Sequence, residues 1–203
     1  MLQNVVFNGQ TVFPSKIVCI GRNYVEHIYE LGNEIPESMV VFNKPNSAVT
    51  DELRYVSPQT RFEGEICFMI EKGEISGIGF GLDLTHADVQ NYLKQKGLPW
   101  ERAKAFDGSA VLSAFIPLEV PLETLEMKLY KNSKLVQYAT YDLMIYKPRI
   151  MLEEIKRFMT LEDGDIIMSG TPRGVGNFCI GDCFRGEILS EGKVILSSQF
   201  DVV

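Results

Sequence analysis

Glu63 and Glu65 stand two residues apart at the head of an apolar run, Ile66-Cys67-Phe68-Met69-Ile70. Alternate residues of a strand share a face, so Gly64, Ile66, Phe68 and Ile70 line a core. The two glutamates then share the opposite face, roughly 7 Å apart along the chain. Like charges in so apolar a setting repel each other and lose solvation unless a positive group neutralises them. A hard divalent cation with oxygen ligands, Mg2+ or Mn2+, meets that need. Asp83 closes the next strand-like segment and offers a third carboxylate at a strand-to-helix junction. A solvated strand face with an ordinary turn aspartate explains the same residues without a cation.

His27 and Glu30 sit at i and i+3 of a short helical segment, so their side chains are neighbours. A carboxylate beside an imidazole fixes its tautomer and raises its basicity, which a base that activates water requires. An exposed helix ion pair is the plainer alternative. Lys44, within Phe42-Asn43-Lys44-Pro45, and Lys104, within Ala103-Lys104-Ala105-Phe106, have apolar or aromatic neighbours. An ammonium placed there can hold an anionic substrate, although solvent is the usual setting of a lysine. The loop Ser169-Gly170-Thr171-Pro172-Arg173-Gly174-Val175-Gly176 lacks both G-x-G-x-x-G and the Gly-Lys-Ser/Thr of a P-loop. Its backbone donors and the Thr171 hydroxyl can cradle a carboxylate, with turn chemistry as the alternative.

The elements that must position these groups are mainly strands. Residues 11–13, 16–20, 39–43, 63–70, 78–84, 125–130, 165–169 and 192–200 are rich in β-branched, aromatic and aliphatic side chains between turn residues. Three helices are expected. Asn23 caps the first, with Glu26 three residues on and Gly32 as its stop. Thr85 opens the second, with Asp88 at the capping-box position, Val89, Tyr92 and Leu93 as its apolar stripe, and Gly97 and Pro99 beyond its end. The third starts near Pro148 and carries Leu152, Ile155 and Met159 inward. Many strands with a few separated helices give an α+β, mostly β class rather than alternating βαβ units.

The 203 residues are read as one domain, 1–203, of which 45% are hydrophobic and 23% charged. A net charge of −7 argues against a nucleic-acid or anionic-membrane surface. Neither a signal peptide nor a membrane-spanning run is expected, and four scattered cysteines read as reduced thiols of a cytoplasmic protein. With only two histidines, a three-histidine zinc centre is excluded.

Taken in order, these motifs resemble the fumarylacetoacetate hydrolase family. They are Gly21-Arg22-Asn23-Tyr24 with His27 and Glu30, Asn43-Lys44-Pro45, Glu63-Gly64-Glu65, Leu82-Asp83-Leu84-Thr85 with Asp88-Val89-Gln90, Lys96-Gly97-Leu98-Pro99-Trp100, Ala103-Lys104-Ala105-Phe106, and 164–176. Ser113-Ala114-Phe115-Ile116-Pro117 is similar to the acylpyruvase and oxaloacetate-processing branch. The resemblance implies a mixed β-roll or β-sandwich, a homodimer, and Mg2+ or Mn2+ held by Glu63, Glu65 and Asp83. It implies that His27 and Glu30 ride on a lid and activate water, and that Lys104 stabilises an enolate. Arg22, Lys44, Gln90 and Thr171 fall to the substrate pocket. Many acylpyruvase-like members carry an arginine where this chain has Ala87, so its task of gripping a carboxylate is either unfilled here or passed to Arg22, Arg102 or His86.

The expected reaction is cleavage of a C–C bond in a small 2-oxo acid, by acylpyruvate hydrolysis or oxaloacetate decarboxylation. Tautomerisation or isomerisation of oxaloacetate or a 2-hydroxydienedioate on the same centre is the alternative. A non-catalytic, metal-dependent dicarboxylate-binding protein is a third reading, against which the His27–Glu30 pair and Lys104 both count.

Overall fold

The Gly64–Glu71 strand is apolar on both faces and lies in the interior of the molecule. In the computed structural model, which describes residues 2–30, 32 and 36–203, it sits inside a mixed sheet. The order is Val40–Pro45, Lys16–Gly21, Ile166–Met168, Gly64–Glu71, Glu74–Asp83, Ala110–Leu112 and Val49–Thr50, with Ile116–Pro117 pairing onto Glu74–Asp83. A second, antiparallel sheet runs in the order Lys134–Thr140, Leu125–Lys131, Cys183–Ser190 and Lys193–Asp201. The fold is mostly β with few helices, as the sequence implies.

The even-numbered residues Ile66, Phe68 and Ile70 pack with Leu129, Phe184 and Ile188 of the second sheet in the main core. The odd-numbered Cys67 and Met69 join Ile17, Phe115 and Ile166 in a smaller core on the other face. Glu65 continues that second face, next on it to the buried Cys67.

A tight hairpin sets the register of the acidic residues. Lys72 and Gly73 both take positive φ, at 53° and 73°, as a two-residue turn with the twist of its strands requires. From that turn, and after a one-residue bulge at Ser76, Glu65 pairs with Gly81 and Gly64 with Leu82, and the Asp83 N–H donates to the Glu63 carbonyl at 2.9 Å. Two segments distant in sequence thus bring Glu63, Glu65 and Asp83 together.

The helices depart from the expected caps. Thr85–His86 is a short strand paired with Thr60–Phe62, and the second helix runs Ala87–Lys96 with no side-chain cap. The Thr85 hydroxyl is committed to Glu63 and Lys104 instead. Leu93 is buried, whereas Val89 and Tyr92 are exposed, so the expected stripe is narrower than drawn. The first helix is Val25–Glu30, and Asn23 does not cap it. Its amide donates to the Tyr146 and Ser169 carbonyls and its side-chain oxygen accepts the Tyr146 N–H, tying two loops together. The third expected helix is Pro148–Lys156, with Leu152 and Ile155 inward and Met159 packing beyond its end. A further short helix, Glu101–Lys104, delivers Lys104.

Candidate functional site

Glu63, Glu65 and Asp83 each present a carboxylate oxygen within 4.8 Å of the others. Glu65 and Asp83 are almost wholly buried. Each acid is held by a different element. The Gly170 N–H donates to Glu65 Oε2 at 2.7 Å, and Thr85 Oγ1 donates to Glu63 Oε1 at 2.7 Å. Lys104 Nζ donates to Glu63 Oε2 at 2.8 Å, to Asp83 Oδ2 at 2.6 Å and to Thr85 Oγ1 at 2.6 Å. Asp83 Oδ1 is buried and has no aligned hydrogen-bond donor, although the Lys44 ammonium lies 2.8 Å from it.

The electrostatics separate the two glutamates. Burial, then the Asp83 and Glu63 charges, push Glu65 well above the usual carboxylate range. Burial acts on Glu63 too, but the Lys104 ammonium and His27 outweigh it and hold Glu63 low. Burial would discharge Lys104, yet Asp83 and Glu63 overcome it and raise its affinity for the proton. Three close, buried carboxylates with an unsatisfied Asp83 oxygen are a donor set that suits a hard divalent cation. The expected ligands therefore fit together as a group.

His27 Nδ1 lies 3.0 Å from Glu30 Oε2 on the Val25–Glu30 helix, and His27 is buried. Both Glu30 oxygens also accept from the Gly174 N–H, at 3.1 and 3.2 Å. The 169–176 loop does cradle carboxylates, as its composition suggested, but through Gly170 and Gly174 they are those of the chain's own Glu65 and Glu30. Gly174 takes φ +100°, and a Cβ there would lie 2.0 Å from the Val136 carbonyl oxygen, so the N–H can be aimed only from a glycine.

A cavity of about 490 Å3, counting its open mouth, is lined by all three carboxylates together with Arg22, His27, Gln90, Lys94, Lys104 and Thr171. Lys44 is the correction among the expected pocket residues. It is fully buried behind Asp83, with its ammonium donating to the Lys104 and Leu84 carbonyls, and it does not line this cavity. Thr171 does line it, but its hydroxyl already donates to the Gly64 carbonyl and accepts from Gln137. Of the residues expected to serve in place of an arginine at Ala87, Arg22 lines the cavity. His86 is stacked on Phe106 at 4.0 Å and contacts Thr60, and Arg102 is exposed.

Two site residues escaped the sequence reading. Lys94 lines the cavity from the Ala87–Lys96 helix, at i+4 from Gln90, a spacing that was the available signal. Gln137, 2% exposed, donates to Thr171 Oγ1 and the Pro172 carbonyl and accepts the Gly64 N–H. Its sole signal is a polar residue in phase with buried Ala139.

Residues 16–199 match the model of the fumarylacetoacetate (FAA) hydrolase C-terminal domain. The chain belongs to the fumarylacetoacetate hydrolase family. Among its relatives in that family, oxaloacetate tautomerase YcgM of Escherichia coli is 38% identical over 83% of this chain and 85% of its own length. Mitochondrial oxaloacetate tautomerase FAHD1 of Bos taurus is 35% identical over 92% of this chain and 90% of its own. The family fold extends to fumarylpyruvate hydrolase from Pseudomonas aeruginosa, solved with Mn2+ and pyruvate. It superposes with a TM-score of 0.88 at 29% identity, covering 100% of this chain and 96% of that one. The chain is thus an enzyme of the fumarylacetoacetate hydrolase family with an acidic group able to hold a metal ion. No helix among the described residues is long and apolar enough to cross a membrane.

Proposed function

We propose that this chain is a divalent-cation-dependent enzyme that interconverts the enol and keto forms of small 2-oxo acids, oxaloacetate foremost. The observation that carries the reading is the buried carboxylate trio sharing the Lys104 ammonium, in a chain whose relatives at 38% and 35% identity are oxaloacetate tautomerases. Glu63, Glu65 and Asp83 would hold Mg2+ or Mn2+, which supplies Lewis acidity at a keto oxygen. With a divalent cation bound by all three carboxylates, the Lys44 and Lys104 ammonium groups bring the formal charge of the site to +1. That final sign suits an anionic acid.

The chain's own groups divide the remaining work. Lys104, kept charged by its two carboxylate neighbours, is a fixed positive group where charge grows on the substrate oxygen. Glu30 accepts from His27 Nδ1–H, so Nε2 is the nitrogen that takes a proton from the carbon next to the keto group and returns it. Arg22 and Gln90 bound the substrate, and Thr171 holds the wall through Gly64. Two further expectations join the proposal. The protein is a homodimer, which light scattering checks, and it resides in the cytoplasm, where its four thiols stay reduced.

The His27–Glu30 pair favours a second reading, hydrolytic C–C cleavage, because such a dyad also activates water. The test follows oxaloacetate and acetylpyruvate by NMR, with Mg2+ and with a chelator. Cation-dependent enol–keto exchange without excess pyruvate supports tautomerisation, and pyruvate above the uncatalysed rate supports cleavage. No cation-dependent change in either substrate overturns both. In His27→Ala, either activity should fall by about 10²–10⁴-fold; tautomerisation that survives unchanged removes the dyad from that reaction.

A further inference from the structure

Beside the cavity just described lies a larger, more open one of about 1100 Å3, counting its mouth. The two share Glu63, Gln90 and Lys94 in their walls, so they are compartments of one cleft. Ala87, Gln90 and Lys94 fall at i, i+3 and i+7 of the Ala87–Lys96 helix, which turns one face toward the outer compartment. Ala87 contributes only a methyl group to that face, leaving the space open.

The outer compartment is lined by two cations, Lys94 and Arg61, and two acids, Glu30 and Glu63. The acids are already engaged, Glu30 by His27 and the Gly174 N–H, and Glu63 by Lys104 and Thr85. Among the described residues, no carboxylate lies within ion-pair distance of Lys94 or Arg61. The Lys94 ammonium lies over the Trp100 ring at 5.6 Å, which steadies the side chain. Burial, with the nearby Arg22 charge, holds Lys94 below its usual value, and Glu63 offsets this only in part.

We propose that the outer compartment is the subsite for a second, distal carboxylate of the substrate, with Lys94 as its anchor and Arg61 as a supporting cation. The inference rests on the 2-oxo-acid reading above and deepens it. The preferred substrates are 2-oxo dicarboxylates, and Lys94 is the residue that separates them from 2-oxo monocarboxylates. Lys94 reaches both compartments and serves short diacids, whereas Arg61, lining only the outer one, matters more as the diacid lengthens.

The test is calorimetric binding in Mg2+ of three probes. Oxalate mimics the reacting head, 2-oxoglutarate carries the second carboxylate, and 2-oxovalerate is a monocarboxylic counterpart. The expected result is Mg2+-dependent oxalate binding and about tenfold tighter binding of 2-oxoglutarate than of 2-oxovalerate. Lys94→Gln brings that ratio near one, and Lys94→Arg restores most of it. Since the ratio is measured within each variant, a general loss of affinity does not mimic the effect. Equal binding of the two acids by the native protein, or a ratio that survives Lys94→Gln, overturns the subsite while oxalate binding leaves the head reading standing. Absence of Mg2+-dependent oxalate binding overturns the head reading and the subsite with it.

Discussion

At the scale of single residues, the acidic trio was legible because a strand has period two and the following hairpin returns one carboxylate beside the other two. Depth was not legible. Lys44 has the composition of a pocket lysine, yet the structure puts it entirely behind Asp83, a distinction that depends on the Leu84 and Lys104 carbonyls, distant in sequence, closing over its ammonium. Gln137 was silent because its three hydrogen-bond partners come from positions 64, 171 and 172. Glu65 is the residue with the least to lose structurally from neutralisation, since burial and two acidic neighbours already favour its protonated form. Glu65→Gln should therefore remain folded while its affinity for Mn2+ drops by about a hundredfold or more. Calorimetric titration with Mn2+ measures this, and undiminished affinity would place the cation elsewhere.

At the scale of elements, most strands were readable, Leu125–Lys131 and Lys193–Asp201 among them despite their polar residues, but Lys134–Thr140 and Cys183–Ser190 were not. Cys183–Ser190 carries Arg185, Gly186 and Glu187 in its middle, a composition that reads as a turn. The glycine is there because the Phe80 ring lies against the strand: a Cβ at Gly186 would sit 2.4 Å from it. Asp165, taken at sequence level only as the start of a strand, joins three segments. Its carboxylate accepts from the backbone N–H groups of Ser15, Lys16 and Glu162 and from the Ser15 hydroxyl, and it pairs with Lys16. These bonds outweigh its burial and lower it from its ordinary value of 3.8. A depressed carboxylate contributes stability above its unfolded value and loses it as the pH falls through the folded one. Asp165→Asn should accordingly cost about 1–3 kcal/mol at neutral pH. The gap to the native protein should close in acid, below 3.8, as urea unfolding at a series of pH values would record. A gap that stays constant through that range would assign the loss to packing instead.

At the scale of the whole molecule, the two-sheet arrangement follows from one strand being buried on both faces, and that much the unbroken apolar run in residues 66–70 announces. What it cannot announce is that the second sheet reaches past the core to brace the site, through Gln137 beneath Gly64 and the Val136 carbonyl against Gly174. The folded chain gathers three carboxylates that the unfolded chain keeps apart, so a cation that binds the native state alone must stabilise it. Mg2+ at a hundredfold excess over its Kd should add about 2.7 kcal/mol, a rise of about 5–10 °C in Tm that a chelator reverses. An unchanged melting curve would remove the cation from the site. The bracing also has a consequence for how this protein tolerates editing. Between the pairs Leu129–Gln137 and Tyr130–Leu135, Val136 is the extra residue of a bulge. Deleting it would complete the ladder and give a more regular hairpin, while withdrawing the carbonyl that faces the loop holding Glu30. Turnover by the shortened chain, compared at equal melting temperature, should fall: here an irregularity in the outermost strand is a working part, and tidying it is a mutation of the active centre.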